Sequence, residues 1–213
     1  MRKAFAKKVL EMASIDDKLV VLIGDISHHL LRDFEEKFPD RFYNVGICEQ
    51  TIVGMAAGLA MQGFKPIVHT IAPFCVERAY EQIKVDLCYQ NLDVTIVSVG
   101  GSFDYAHLGC THHSYNDISV LRSLPNMHVL TPGTSEEFNI LFDENWSNGL
   151  PKYFKLTADQ HNHSILALDQ VNIIKHEWRS KKTAFVSGQM LNAVMENRDK
   201  FGSIVYIPEL SCL

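Results

Sequence analysis

Apolar residues along this chain fall into two kinds of run. LVVLI at 19–23 and VTIVSV at 94–99 are short, continuous and rich in β-branched residues, as in strands buried on both faces of a parallel sheet. Other segments carry apolar residues three and four apart. In 2–13, Phe5, Val9, Leu10 and Met12 line one side with lysines opposite, which predicts a surface helix. A second helix is expected at 30–37, closed by Pro39. A third is expected at 135–144, started by Thr134 or Ser135 with Glu136 and Glu137 in its first turn. The same reading puts strands at 65–69, 128–131 and 152–156, a long helix at about 76–89, a helical turn at 118–124, and a Gly- and His-containing loop at 100–114. Helix and strand alternate, and the alternation predicts a three-layer α/β/α domain with a mostly parallel sheet.

Beyond residue 160 the pattern changes. HNHSILALDQVN is polar and loop-like, whereas 183–187, 189–201 and 203–207 read as strand, helix and strand. The expected organisation is a domain over 1–165, a linker over 166–182 and a truncated C-terminal βαβ piece over 183–213. A globular domain needs at least about fifty residues to bury a core, so that last piece is expected to lean on the first domain or on a second subunit.

The stretch RFYNVGICEQTIVGMAAGLAMQG at 41–63 stands apart. A strand at 42–47, broken by Asn44 and Gly46, leads to Glu49. From Thr51 the sequence becomes a helix of small and apolar residues, among them Ala56, Ala57, Gly58 and Ala60. A helix so poor in large side chains packs closely against a neighbour. Glu49 sits at its start, where free backbone N–H groups and the helix dipole favour a carboxylate. With Ile47, Cys48, Ile52 and Val53 around it, it reads either as a helix-start charge or as a catalytic carboxyl in apolar surroundings.

Composition narrows the field. At 213 residues and 46% hydrophobic content the chain can bury one sizeable core. A net charge of −5 without any basic run gives no reason to expect nucleic acid or an anionic membrane surface. The apolar runs are far too short to span a bilayer, and the N-terminal segment lacks the apolar centre of a signal peptide. The five cysteines are an odd number without C-x-x-C spacing, which favours reduced thiols and a cytoplasmic protein.

Three segments carry a resemblance. NVGICEQTIVGMAAGLA at 44–60 resembles the V-G-I-x-E-Q segment and small-residue helix of the pyrimidine-binding domain in transketolases and deoxyxylulose-phosphate synthases. TIAPFCVERAYEQIKVDL at 70–87 is similar to that family's T-F-x-x-F…R-A-x-E-Q-I segment. LGCTHHSYNDISVLRSLPNMHVLTPGTSEE at 108–137 is similar to its D-G-x-T-H-Q…L-R-x-I-P-N-M segment. The likeness covers roughly 1–165 in the right order, and AFVSGQMLNAV…IVYIPEL resembles the beginning of the family's third domain.

The resemblance implies roles for particular residues. Glu49 would be the carboxyl that shares a proton with the aminopyrimidine of thiamine diphosphate, partly buried and with a raised pKa. Phe74 would stack on the pyrimidine, Ile71 would keep an apolar wall where the family has a second aromatic, and Asp25 and Arg78 would also lie at the cofactor. His112 would face a substrate oxygen and move protons, with Arg2 and His113 nearby. Three departures fall on positions where the family holds a sugar phosphate, with Leu108 in place of an acid, Gly100 of a histidine and His29 of a serine, while Arg2, matching an arginine at the start of the domain, is kept. These changes imply an altered substrate.

On the residues alone, Phe74 is as readily a core residue. His107, His112 and His113 are as readily solvated loop residues or, with Cys110, a metal group; the spacing argues against zinc, and no metal site is expected in this chain. The family's G-D-G and downstream Asn, which hold the diphosphate and Mg²⁺, are absent, since Gly24-Asp25-Ile26 lacks the second glycine. A partner subunit carrying the diphosphate-binding domain is therefore implied, on a homodimer core or in a heterotetramer. The expected enzyme is a split transketolase-like transferase moving a two-carbon ketol unit from a ketose to an aldehyde acceptor. The alternatives are a deoxyxylulose-phosphate-synthase-like or 2-oxo acid decarboxylating subunit, and a catalytically silent structural or regulatory homologue.

Overall fold

The computed structural model describes residues 1–165, 171–177 and 182–210. Helix α1 (Arg2–Ile15) buries Phe5, Val9, Met12 and Ala13 and leads into β1 (Leu19–Ile23), all five of whose residues are buried. There follow α2 (His28–Lys37), β2 (Phe42–Asn44), α3 (Glu49–Met61), β3 (Lys65–Ile71), α4 (Ala72–Val76) and α5 (Tyr80–Gln82), which continues as a π-helical segment, Ile83–Tyr89. Next come β4 (Thr95–Val99), α6 (Asp117–Arg122), β5 (His128–Leu130), α7 (Ser135–Asn145) and β6 (Lys152–Lys155).

The six strands form one parallel sheet in the order β2-β1-β3-β4-β6-β5. On one face, Phe5, Phe34, Phe138 and Phe142 from α1, α2 and α7 pack on the sheet. On the other, Ile52, Val53, Ile83, Leu87 and Leu121 from α3, the π-helical segment and α6 do the same. This is the expected three-layer α/β/α architecture. Because the strands are parallel and in close register, with Ile23 opposite both Asn44 and His69 and with Ile71 opposite Val99, their carboxyl ends open on one edge. That edge is where α/β sheets place their ligands.

Several local expectations are corrected. The strand expected over 42–47 stops at Asn44, because the Asn44 side-chain oxygen accepts from Gly46 N–H at 3.0 Å and Gly46 turns into the left-handed region (φ 80). The single helix expected at 76–89 is interrupted: a short turn, α4, comes first with Pro73 in its opening positions, and the last seven residues wind as a π-helix. The small-residue helix begins at Glu49 rather than Thr51.

The C-terminal piece is a second sheet built from β7 (Asn172–His176), β8 (Thr183–Val186) and β9 (Ser203–Tyr206), with helix α8 (Leu191–Glu196) between the last two. Its order is β7-β9-β8. Strands β8 and β9 run parallel, as a βαβ unit requires, and β7 joins antiparallel. Strand β7 lies in the span read as a linker, of which 166–170 and 178–181 fall outside the described residues. Val186, Leu191, Ile204 and Tyr206 make a small core. Main-chain bonds tie the unit to the first domain, with Thr131 N–H donating to the Pro208 carbonyl and Leu210 N–H to the Val129 carbonyl, both at 2.7 Å. Among the described residues, no helix is long and apolar enough to cross a membrane.

Candidate active site

Glu49 opens α3 at the carboxyl edge of the sheet and is 1% exposed. Its carboxylate accepts from the Thr70 hydroxyl at 3.2 Å and from Arg78 Nη1 at 2.5 Å. Gly24 leaves the room for this: a Cβ there would come within 2.8 Å of Thr70 Oγ1 and 3.4 Å of Glu49 Oε1. The purely apolar setting expected for Glu49 is thus replaced by an ion pair with Arg78, whose side chain stays 36% exposed.

The same guanidinium lies 4.4 Å over the ring of Phe74, a stacked cation–π arrangement. Phe74 in turn meets the His112 ring edge-on at 5.0 Å. Glu49, Arg78, Phe74 and His112 therefore form one continuous line. The Thr111 hydroxyl lies 3.0 Å from His112 Nδ1. The neighbouring Cys75 thiol is pushed up to about 12, by burial and then by the charge of Glu49, so it stays protonated.

A separate cavity of about 390 Å³ has a mostly apolar wall that includes Met1, Val99 and Leu156, with Arg2, Asp104, Tyr105 and Gln160 as its polar members and Gly100 among the rest. Gly100 is left-handed (φ 69), and a Cβ on it would stand 2.3 Å from the Tyr105 ring. The residue at position 100 is a glycine because Tyr105 fills the space its side chain would need. Tyr105 also reaches within 6.4 Å of the His112 ring, centroid to centroid. Burial raises the Asp104 carboxyl, although it accepts from Ala158 N–H at 2.9 Å.

Other expected site residues are not gathered here. Asp25, left-handed (φ 54) and exposed, turns its carboxylate to His28 Nε2 at 3.0 Å and Asn44 Nδ2 at 3.1 Å. Those bonds, His28 first, hold the carboxyl below its ordinary range. His29 is exposed on α2, and Leu108 is 50% exposed and does not line the cavity. His113 lies 3.3 Å from the Ala106 carbonyl and against the Phe103 ring at 5.1 Å. Ile71 ends β3 and packs on the core beneath α1 and α7 rather than over Phe74. Among the described residues, no group of three or more His, Cys, Asp or Glu is placed to hold a metal ion.

Sequence reasoning passed over Ser27, His69, Thr70 and Tyr105. His69 had a signal, since a histidine inside the apolar run IVHTI is a polar group that burial must satisfy.

Residues 1–154 match the family model described as the transketolase pyrimidine-binding domain. The chain belongs to this family. One of the subunits of an apulose-4-phosphate transketolase, from Phocaeicola vulgatus, is 43% identical over 132 residues, 62% of this chain and 42% of that protein. A 1-deoxy-D-xylulose-5-phosphate synthase from Clostridium acetobutylicum is 40% identical over 146 residues, 68% of this chain and 23% of that protein. The chain thus spans less than half of either curated relative. A solved structure described as a split-gene transketolase, an inactive β4 tetramer, superposes with a TM-score of 0.80 at 28% identity, covering 98% of this chain and 71% of that one. The likeness to that structure therefore extends through the small second sheet, beyond the residues that the family model matches.

Proposed function

We propose that this chain is the pyrimidine-binding subunit of a split, thiamine-diphosphate-dependent transferase that moves a two-carbon ketol unit from a ketose to an aldehyde acceptor. The diphosphate and its Mg²⁺ are held by a partner chain. The observation that carries the reading is the arrangement of Arg78: a flat cation that donates to buried Glu49 while lying on the face of Phe74. An aminopyrimidine ring needs the same two contacts, an N–H toward a carboxylate and an aromatic platform, so the residues present suit it. Thiamine diphosphate, when bound, supplies the carbanion at its thiazolium carbon.

This chain's residues have separable tasks. Glu49, oriented by Thr70, holds a proton at a pyrimidine ring nitrogen once Arg78 gives way. Phe74 sets the ring plane. His112 donates to or takes a proton from the substrate oxygen. Arg2 and Tyr105 line the cavity on the substrate side. A relative that is itself named as one subunit of a transketolase supports the split organisation and the partner chain.

Hydrogen–deuterium exchange at the thiazolium C2, followed by NMR in the complex reconstituted with the partner chain, tests the reading. Glu49→Gln is expected to abolish exchange, and unchanged exchange overturns the assignment. A second reading, a synthase joining a decarboxylated 2-oxo acid to an aldehyde, draws on the 40% identity to the deoxyxylulose-phosphate synthase. Turnover with pyruvate but not with ketoses would favour it.

A further inference from the structure

The loop over 102–114 carries His112 and has little of its own to hold it. From Phe103 to Thr111 most of its residues are exposed, and its two turns, Ala106–Leu108 and Cys110–His112, close on bonds within the loop. A segment with few buried contacts opens easily. Its neck is different. Ser102 and Ser114 exchange main-chain bonds at 2.8 and 2.9 Å in an isolated antiparallel bridge. Ser114 is fully buried, and Ser102 is left-handed (φ 55). A non-glycine residue keeps that conformation only where its surroundings compensate.

The compensation lies beneath the neck. Lys155 ends β6 and Asp117 opens α6, and both are buried. Lys155 Nζ donates to Asp117 Oδ1 at 2.8 Å and to the Ser102 hydroxyl at 3.0 Å. The Asp117 carboxylate also accepts from Ile118 N–H and from the Tyr153 hydroxyl, both at 2.9 Å, and that hydroxyl accepts from Ser98 at 2.7 Å. Gly101 makes the room, since a Cβ there would stand 2.6 Å from Lys155 Cε. A second tether comes from just past β6, where Ala158 N–H donates to Asp104 at 2.9 Å.

A buried ion pair adds little net stability over well-packed apolar groups, and its best-attested use is to fix one arrangement. Lys155 and Tyr153 stand on β6, an interior strand of the sheet, so the network joins Ser102 to the most rigid part of the domain. Further along the loop, His112 meets Phe74 at 5.0 Å.

We propose that Lys155 and Asp117 are positioning residues, a buried clamp that grips the loop neck at Ser102 and so sets where His112 stands against Phe74. This rests on reading His112 as the group that exchanges a proton with the substrate oxygen.

The test uses the full chain and Ser102→Gly, which removes the hydroxyl, suits the left-handed backbone and leaves Lys155 paired with Asp117. Hydrogen exchange reports on the neck, and NMR of the His112 ring reports its place, with the ring signals assigned by their loss in His112→Gln. A Phe74→Leu chain supplies the signals of the same ring without its aromatic neighbour. In Ser102→Gly, amide protection at 102 and 114 is expected to fall about tenfold and the His112 signals to move toward those of Phe74→Leu, while β1 keeps its wild-type protection. The double variant Lys155→Met with Asp117→Asn removes the donor without stranding a charge and should do the same. Wild-type protection with unmoved His112 signals in Ser102→Gly overturns the proposal. A double variant that behaves as wild type also overturns it, because the glycine would then act through backbone freedom alone. In the reconstituted complex, Ser102→Gly should lower kcat about tenfold and leave C2 exchange intact. The clamp is judged without partner or cofactor, whereas failure of the His112 reading would show as full turnover in a chain whose His112 ring has moved.

Discussion

Two glutamates begin helices in the first domain, and both are buried: Glu49 at the first position of α3 and Glu137 at the third of α7. Their partners set them apart. Glu137 accepts from Gly133 N–H at 2.7 Å and from the Tyr206 hydroxyl at 2.5 Å, and it pairs with His161 Nε2 at 2.7 Å. Burial pushes its carboxyl up, but the bonds from His161, Tyr206 and Gly133 outweigh this and leave it below its ordinary value. Every one of those partners is fixed by the fold, and Tyr206 belongs to β9 of the second sheet. Glu49 has Thr70 and one long, half-exposed arginine. A carboxylate saturated by fixed groups joins parts of a fold. One whose second oxygen is held by a displaceable side chain is free to take a different partner.

The sharpest break in this comparison is functional. Glu49→Gln should lower turnover of the reconstituted enzyme by about 10³-fold, within the range for a lost acid–base group, with little change in melting temperature. Glu137→Ala should do the reverse: roughly 3–5 kcal/mol of stability lost on urea unfolding, because His161, Tyr206 and Gly133 N–H are left unpaired in the interior, with turnover per folded molecule retained. If the two variants exchange these outcomes, the distinction fails.

Acid sharpens the contrast between buried groups. The His69 pKa is about 4 in the folded chain against an ordinary 6.5, so between those values the unfolded chain takes up a proton that the folded chain refuses. Stability is unaffected above pH 6.5 and declines from there to pH 4 by about 3 kcal/mol. Glu137, with its lowered value, contributes stability that is present above its ordinary 4.5 and lost as pH falls below it. Urea midpoints measured from pH 8 to 3 should show two successive declines. His69→Gln should flatten the first and leave the second.

The smallest effect concerns the cavity that Gly100 and Tyr105 line. Gly100→Ala should destabilise by about 1–3 kcal/mol, from the left-handed backbone and the clash with Tyr105. Adding Tyr105→Ala should recover part of the loss, so that the double variant is more stable than the sum of the singles predicts. Additive urea midpoints would show that the Tyr105 ring does not occupy the place of a residue-100 side chain.

How much of this was legible in the sequence depended on whether its cause was local. Strands β1 and β4 were readable because burial on both faces writes an unbroken apolar run. Strand β7 was not, since its half-buried residues alternate weakly and its partner β9 comes only after a further strand and helix. The π-helical segment escaped for a different reason: Ile83, Leu87 and Cys88 are buried at spacings that an α-helix serves equally well. Glu49, Phe74 and His112 could be singled out by their surrounding motifs. The bond from Arg78 to Glu49 and the packing of Tyr105 on Gly100 could not, because side chains distant in sequence, or folded back within a loop, meet only once the fold exists.

The contact between residues 208–210 and β5 bears on how the protein is made. β5 is the outermost strand on its side of the sheet, and its free edge is covered by the Leu130–Glu209 bridge and the flanking main-chain bonds. An uncovered strand edge is a template for pairing with other chains. On the ribosome, β5 emerges well before the segment that shields it, so each nascent chain passes through an interval in which Val129 and Leu130 offer an open ladder. Chains that stall or are cut within that interval carry the exposed edge permanently, and they are the species a chaperone would hold and a protease would clear.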